Sequence, residues 1–170
     1  MENDSTQVFG GSSIEELSLP APLRNYQWDG VNFLLSNDSA LLADEMGLGK
    51  TVQTAIALRL ALRRPDCNRA LIIAPASLRM NWEREMRFWA PELAVRRVQG
   101  NARDRAATYL LPIPVLIASY EQVRTDGRNL DSSLHFDIVV LDEAQRIKND
   151  GSGAALGCKL LPCGPKFRHG

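Results

Sequence analysis

The chain has 170 residues, 45% of them hydrophobic, with 20 lysines and arginines balanced by 20 aspartates and glutamates. This length suits a single domain with its own core, and the zero formal charge argues against a global pull toward nucleic acid or a membrane surface. Cys67, Cys158 and Cys163 form no C-x-x-C pair, so a disulfide framework and a cysteine zinc site are disfavoured and the thiols are read as reduced.

Residues 1–19 are polar and acidic, lack the apolar core of a signal peptide, and are expected to form a flexible tail. No apolar run approaches the roughly 20 residues that span a bilayer, so no membrane contact is expected and the protein is read as soluble and intracellular. Leu23, Tyr26, Gly30, Phe33 and Leu34 recur at spacings of three and four, which predicts an amphipathic helix. Asn37, Asp38 and Ser39 read as a turn. Ala40, Leu41, Leu42 and Ala43 then form a short apolar run, a candidate buried strand.

Helix formers run from Thr51 to Arg64, where Pro65 stops them. Ala70 to Ala74 is a second strand candidate, ended by Pro75. Ser77 is placed to cap a helix that continues to Trp89. A strand over 94–98, a helix over 101–110 and strands over 115–119 and 137–141 complete the pattern. Apolar runs alternating with helical stretches indicate βαβ units, an α/β fold with a parallel sheet flanked by helices. Sites in such sheets lie at the carboxyl ends of the strands.

Two polar clusters occupy that kind of position. The first, Met46, Gly47, Leu48, Gly49, Lys50 and Thr51, joins a strand to a helix. Glycines permit a tight turn whose N–H groups point at phosphate oxygens, and a helix N-terminus adds favourable partial positive charge. Lys50 would reach the β- and γ-phosphates and Thr51 would ligate Mg²⁺. The strict G-x-x-x-x-G-K-[ST] pattern wants glycine where Asp44 stands, so a plain glycine-bearing turn before an ordinary helix is the alternative. The second cluster is Asp142 and Glu143, directly after the run Ile138, Val139, Val140, Leu141. Asp142 could hold Mg²⁺ and Glu143 could polarise an attacking water. For the dipeptide alone, two solvated acids opening a loop is the competing reading. A phosphate loop upstream of an apolar strand ending in two acids is the layout a metal-assisted NTPase needs.

In order along the chain, Leu23 to Gln27 with Gly30 and Val31, Asp44 to Thr51, Ile73 to Leu78 with Asn81, Trp82 and Glu85, and Asp142 to Asn149 resemble four segments of the Swi/Snf-type ATPases. Ser119, Tyr120 and Glu121 stand where a lesser motif of that family is expected. The resemblance covers about 23–149 and implies the first RecA-like P-loop NTPase lobe of a superfamily-two helicase. The cofactors it implies are ATP and Mg²⁺, and the partner is duplex DNA, with a protein partner such as a polymerase or chromatin also in view. Location would be cytoplasm or nucleoid in a bacterium and nucleus in a eukaryote. By position it assigns Gln27 to the adenine edge, Asp44, Met46, Gly47, Leu48, Gly49, Lys50 and Thr51 to the nucleotide, Thr51 and Asp142 to the metal, and Lys50, Asp142 and Glu143 to catalysis. Gln145, standing for the family's commoner histidine, would couple the nucleotide site to later motifs. Without the family, Gln27 reads as a surface helical residue.

After Asn149 the resemblance ends, and 20–150 is read as the lobe with 151–170 as a tail outside the family. A truncated or frame-shifted gene, an incomplete sheet, marginal stability and weak turnover are therefore expected. The resemblance places transition-state arginines in a second lobe, and such residues are typically worth about 10³–10⁵ in rate. The alternative is an inactive nucleotide-binding or interaction fragment; a P-loop kinase or GTPase fits less well. Arg79, Arg84, Arg87, Arg96, Arg97, Arg103 and Arg105 form a locally basic stretch, interleaved with Glu83, Glu85, Glu92 and Asp104. It is either a DNA-phosphate track, with Arg79 the best single candidate, or a solvated face. Trp82, Phe88 and Trp89 read as core or interface, and His135 and His169 receive no role.

Overall fold

Apolar runs too short for a helix become neighbouring parallel strands in the computed structural model, which describes residues 8–9, 12–13, 17–37, 39–42, 49–131, 133–143 and 166–169. The elements in chain order are β1 (Val8–Phe9), β2 (Ser12–Ser13), α1 (Asn25–Ser36), β3 (Ser39–Leu42), α2 (Lys50–Ala61), β4 (Ala70–Ala74), α3 (Arg79–Trp89), β5 (Val95–Arg97), α4 (Ala102–Leu110), β6 (Val115–Ser119), α5 (Tyr120–Asp126), β7 (Ile138–Leu141) and β8 (Lys166–His169). Strands β3-β8-β7-β4-β6-β5 form one sheet, in that order, and every neighbouring pair is parallel. β1 and β2 pair separately as an antiparallel ribbon.

Strand alternation divides the core into two faces. Ala70, Ile72, Ala74, Val115, Ile117, Ile138 and Val140 pack on one side with α1, α2 and α3 through Val31, Leu34, Ile56, Leu58, Trp82 and Met86. Leu71, Ile73, Leu116, Ala118, Val139 and Leu141 pack on the other with Tyr109, Val123, Leu134 and Phe136. Helix α2 is buried from Gln53 to Ala61, as expected of a helix between a sheet and a covering helix. It holds Arg59, which is ion-paired to Glu92 and donates to the Ser18 and Trp89 carbonyls at 3.0 and 3.1 Å.

Several elements depart from the sequence expectation. Leu17 is buried in the first core cluster and Ser18 accepts from Arg59, so the chain packs before residue 20. Ser77 does not cap α3. Pro75 (φ −52°) opens a 3₁₀ turn at Ala76–Leu78, closed by the Leu78 N–H to the Pro75 carbonyl at 2.9 Å, and α3 follows from it. Helix α5 has only seven residues, too few to announce a period, but Ser119 caps it by accepting the Gln122 N–H at 3.2 Å. β8 lies within 151–170 and sits between β3 and β7, its Arg168 level with both Leu41 and Leu141.

Candidate functional site

The register sets where the two polar clusters emerge. Leu41 and Leu141 are both level with Arg168, so β3 and β7 end together at the carboxyl edge of the sheet with one strand between them. At the usual strand spacing that separates them by about 10 Å. The chain leaving β3 re-enters as Gly49 and then α2, whose first residues are Lys50 and Thr51. The chain leaving β7 continues as Asp142 and Glu143. Asp44, Met46, Gly47, Leu48 and Gln145 lie outside the described residues.

Gly49 is the N-cap of α2 with φ +80°, a left-handed conformation that glycine adopts without a Cβ clash. The Gln53 N–H makes the first helical bond, to the Gly49 carbonyl at 3.0 Å. The N–H groups at the head of such a helix have no partner within it and face outward along its axis. Gln27, in the first turn of α1, reaches this same point. A Cβ on Gly49 would lie 2.6 Å from the Gln27 Nε2. The other end of that amide, Oε1, accepts the Arg24 N–H at 2.9 Å and so fixes which way Nε2 faces. Three residues on, Gly30 lets α1 approach α2 closely enough that a Cβ there would meet the buried Gln53 side chain.

Asp142 is held by three separate elements. Its N–H donates to the Ile73 carbonyl of β4 at 2.9 Å, its carbonyl accepts the Tyr120 hydroxyl at 2.6 Å, and its Oδ2 accepts the Trp82 indole N–H at 2.8 Å. Glu143, half-buried, has φ +52°, in the left-handed region that non-glycine residues rarely occupy. Chemically, a lysine, a hydroxyl and outward N–H groups suit an anion, whereas the two carboxylates suit a cation bound beside it.

The basic stretch is largely committed to the protein. Arg79 is half-buried and its Nη1 donates to the Val98 carbonyl at 2.8 Å and to Gln122 Oε1 at 3.0 Å. Burial, followed by the nearby Arg97, holds its guanidinium below the ordinary arginine range. Arg105 donates to the buried Asp126 through two bonds, at 2.8 and 2.7 Å, and this hydrogen bonding to the carboxylate raises its affinity for the proton. Arg87 pairs with Glu83 at 2.8 Å, as interleaved charges on one helix face do. Arg84, Arg96 and Arg103 are exposed. Trp82 is core at 1% exposure, whereas Phe88 is exposed and meets Trp89 edge-on. Sequence reasoning placed Trp82 in the core but missed its hydrogen bond. The available signal was that a buried indole N–H needs an acceptor.

A family model described as the SNF2-related domain matches residues 26–163, past Asn149. An uncharacterized ATP-dependent helicase of Mycoplasma pneumoniae is 38% identical over 167 residues, covering 95% of this chain and 16% of that protein. Helicase SWR1 of Candida albicans is 36% identical over 163 residues, covering 87% of this chain and 10% of that one. The Sulfolobus solfataricus SWI2/SNF2 ATPase core in complex with dsDNA superposes with a TM-score of 0.77 at 29% identity, over 89% of this chain and 32% of that chain. The chain thus spans about a sixth or less of the length of these curated relatives.

Proposed function

The chain belongs to the SNF2-related domain family, as a RecA-like lobe of a Swi/Snf-type ATPase, and from that membership we propose that its carboxyl-edge site binds ATP with Mg²⁺ in the service of a motor acting on duplex DNA. What supports this reading is that Gln27 meets Gly49 at the head of α2, and that the strands preceding Lys50 and Asp142 in the chain end at the same edge of a parallel sheet. Bound Mg²⁺·ATP would supply the phosphoanhydride to be cleaved and the cation that offsets its negative charge.

The residues then divide the work. The Lys50 ammonium and the N–H groups at the head of α2 hold phosphate oxygens. The Thr51 hydroxyl and the Asp142 carboxylate would hold the metal, and the Glu143 carboxylate would polarise the attacking water. The Gln27 Nε2, held against Gly49, would donate to an acceptor on the adenine edge, its Oε1 already accepting the Arg24 N–H. Asp44, Met46, Gly47 and Leu48 are proposed as further nucleotide-binding residues and Gln145 as the coupling residue, as the resemblance assigns them. Because the resemblance places the charge-stabilising arginines in another lobe, these 170 residues alone are proposed to bind nucleotide and turn it over weakly. Duplex DNA is the proposed partner, in keeping with the DNA-bound state of the Sulfolobus relative. For that contact the exposed Arg84, Arg96 and Arg103 are better placed than the inward-facing Arg79.

Calorimetry with ATP and Mg²⁺ tests the reading, with Lys50→Ala as control and turnover measured with and without duplex DNA. Binding that is lost in Lys50→Ala, with little turnover, is expected. Binding that is indifferent to Lys50 would refute the site, and strong DNA-stimulated turnover would refute the claim of weak hydrolysis.

A further inference from the structure

We infer that Trp82 is a positioning residue for the Asp142 carboxylate, setting the affinity of the site for its metal. This rests on the reading of Asp142 as metal-holding. The starting point is the economy of an indole. Trp82 is 1% exposed and its Nε1 is the side chain's one polar atom, a donor only. Any nearby carbonyl would satisfy it. The fold instead directs it at Asp142 Oδ2, at 2.8 Å, across 60 residues of sequence. A bond to an ionised acceptor is shorter and about twice as strong as one between neutral groups, so it fixes the rotation of the carboxylate as well as its place. Partners of metal-holding carboxylates act in this way, orienting the ligand before the metal arrives.

The same residue is gripped through its backbone. The Tyr120 hydroxyl holds the Asp142 carbonyl at 2.6 Å and the Ile73 carbonyl takes its N–H at 2.9 Å. The Asp142 carbonyl belongs to the peptide leading into Glu143, whose φ of +52° persists only where the surroundings over-determine it. Trp82 comes from α3 and Tyr120 from the first residue of α5. These two helices are themselves tied by Arg79 Nη1 to Gln122 Oε1 at 3.0 Å, with the Val98 carbonyl accepting from both Arg79 and Gln122 at 2.8 and 3.0 Å. Arg79 is thereby a brace of the frame around Asp142. Trp82 acts through Asp142 and does not itself touch nucleotide.

Titrating ATP into the 170-residue protein across a range of free Mg²⁺ separates metal from nucleotide binding. Trp82→Phe deletes the donor and keeps most of the ring, and Tyr120→Phe deletes one oxygen. Affinity for ATP in EDTA should match wild type in both. The Mg²⁺ concentration giving half of the metal-dependent gain should rise about tenfold in Trp82→Phe, and less in Tyr120→Phe. An unchanged Mg²⁺ midpoint in a folded Trp82→Phe protein would overturn the inference while leaving the nucleotide site standing. Should Trp82→Phe fail to fold, the wild-type protein still decides. Its Trp82 indole resonance, assigned with Trp28→Phe and Trp89→Phe, should move when Mg²⁺ is added at saturating ATP, and a stationary signal would overturn the inference. A wild-type protein that binds no ATP with or without Mg²⁺ would bring down the reading of the site, and this inference with it.

Discussion

Strand β7 is bracketed by two aspartates, and they have opposite employments. Asp137 stands just before it, at the amino edge of the sheet, and its Oδ2 accepts the N–H groups of Asn68 and Arg69 at 2.8 and 3.0 Å. Its other oxygen meets His135 at 3.3 Å. Asp142 stands just after the strand, at the carboxyl edge, and its carboxylate is served by a side chain from a distant helix. At the amino edge the carboxylate ends the search of a turn for hydrogen-bond acceptors. At the carboxyl edge the protein spends a buried indole on holding a carboxylate still. One strand thus carries a residue that serves the fold and, four apolar positions later, a residue the fold serves.

Paired asparagine substitutions sharpen the contrast. Asp142→Asn keeps an acceptor for the Trp82 indole and removes the charge. Its Mg²⁺-dependent gain in ATP affinity should fall by about 100-fold or more, beyond what loss of an outer partner costs. Its melting temperature should fall by no more than about 2–4 °C, the shift expected for about 1 kcal/mol as the charge-assisted bond from the Trp82 indole becomes a neutral one. Calorimetry and thermal melting on one preparation check both halves. A large loss of stability in Asp142→Asn would make the two aspartates alike and break the comparison.

The carboxyl edge also depends on backbone conformation, and here the expected effect is smaller. Gly49→Ala places a Cβ at φ +80° and 2.6 Å from the Gln27 amide. The conformation alone costs about 1–2 kcal/mol for an L-residue. If binding requires that conformation, ATP affinity should fall roughly tenfold. Direct titration checks this, and an unchanged affinity would mean that the nucleotide does not need Gly49 where it is.

These contrasts also mark what the sequence made legible. β4, β6 and β7 were readable because a strand buried on both faces is a continuous apolar run. The position of Asp142 and Glu143 at the carboxyl end of a buried strand was readable because they follow such a run. β8 was not. Lys166, Phe167, Arg168 and His169 follow glycines and prolines and offer no apolar run, so they were read as part of a tail outside the lobe. Arg79 stood out in the sequence by its charge, which says nothing of the bonds it makes within the protein. Its partners, Val98 and Gln122, lie 19 and 43 residues away. Trp82 shows the same limit, since periodicity places a side chain on a face without naming its acceptor.

The effect expected at Asp137 falls on stability rather than binding, and its cause is read from its dependence on pH. Burial pushes its carboxyl up, but the backbone N–H groups of Asn68 and Arg69, aided by His135, outweigh that and hold it below the ordinary aspartate value. A group with a depressed folded pKa contributes stability that is complete above its unfolded value, about 3.9, and is lost as pH falls through the folded value. At neutral pH, Asp137→Asn should therefore be less stable by about 1–2 kcal/mol, the difference between charged and neutral hydrogen bonds. In a protein of this size that is roughly 2–8 °C of melting temperature. On acidification the wild-type curve should descend toward that of the variant and meet it once Asp137 is protonated. A constant gap down to the lowest pH at which both fold would mean that the carboxylate charge contributes nothing and that Asp137 matters only for its shape.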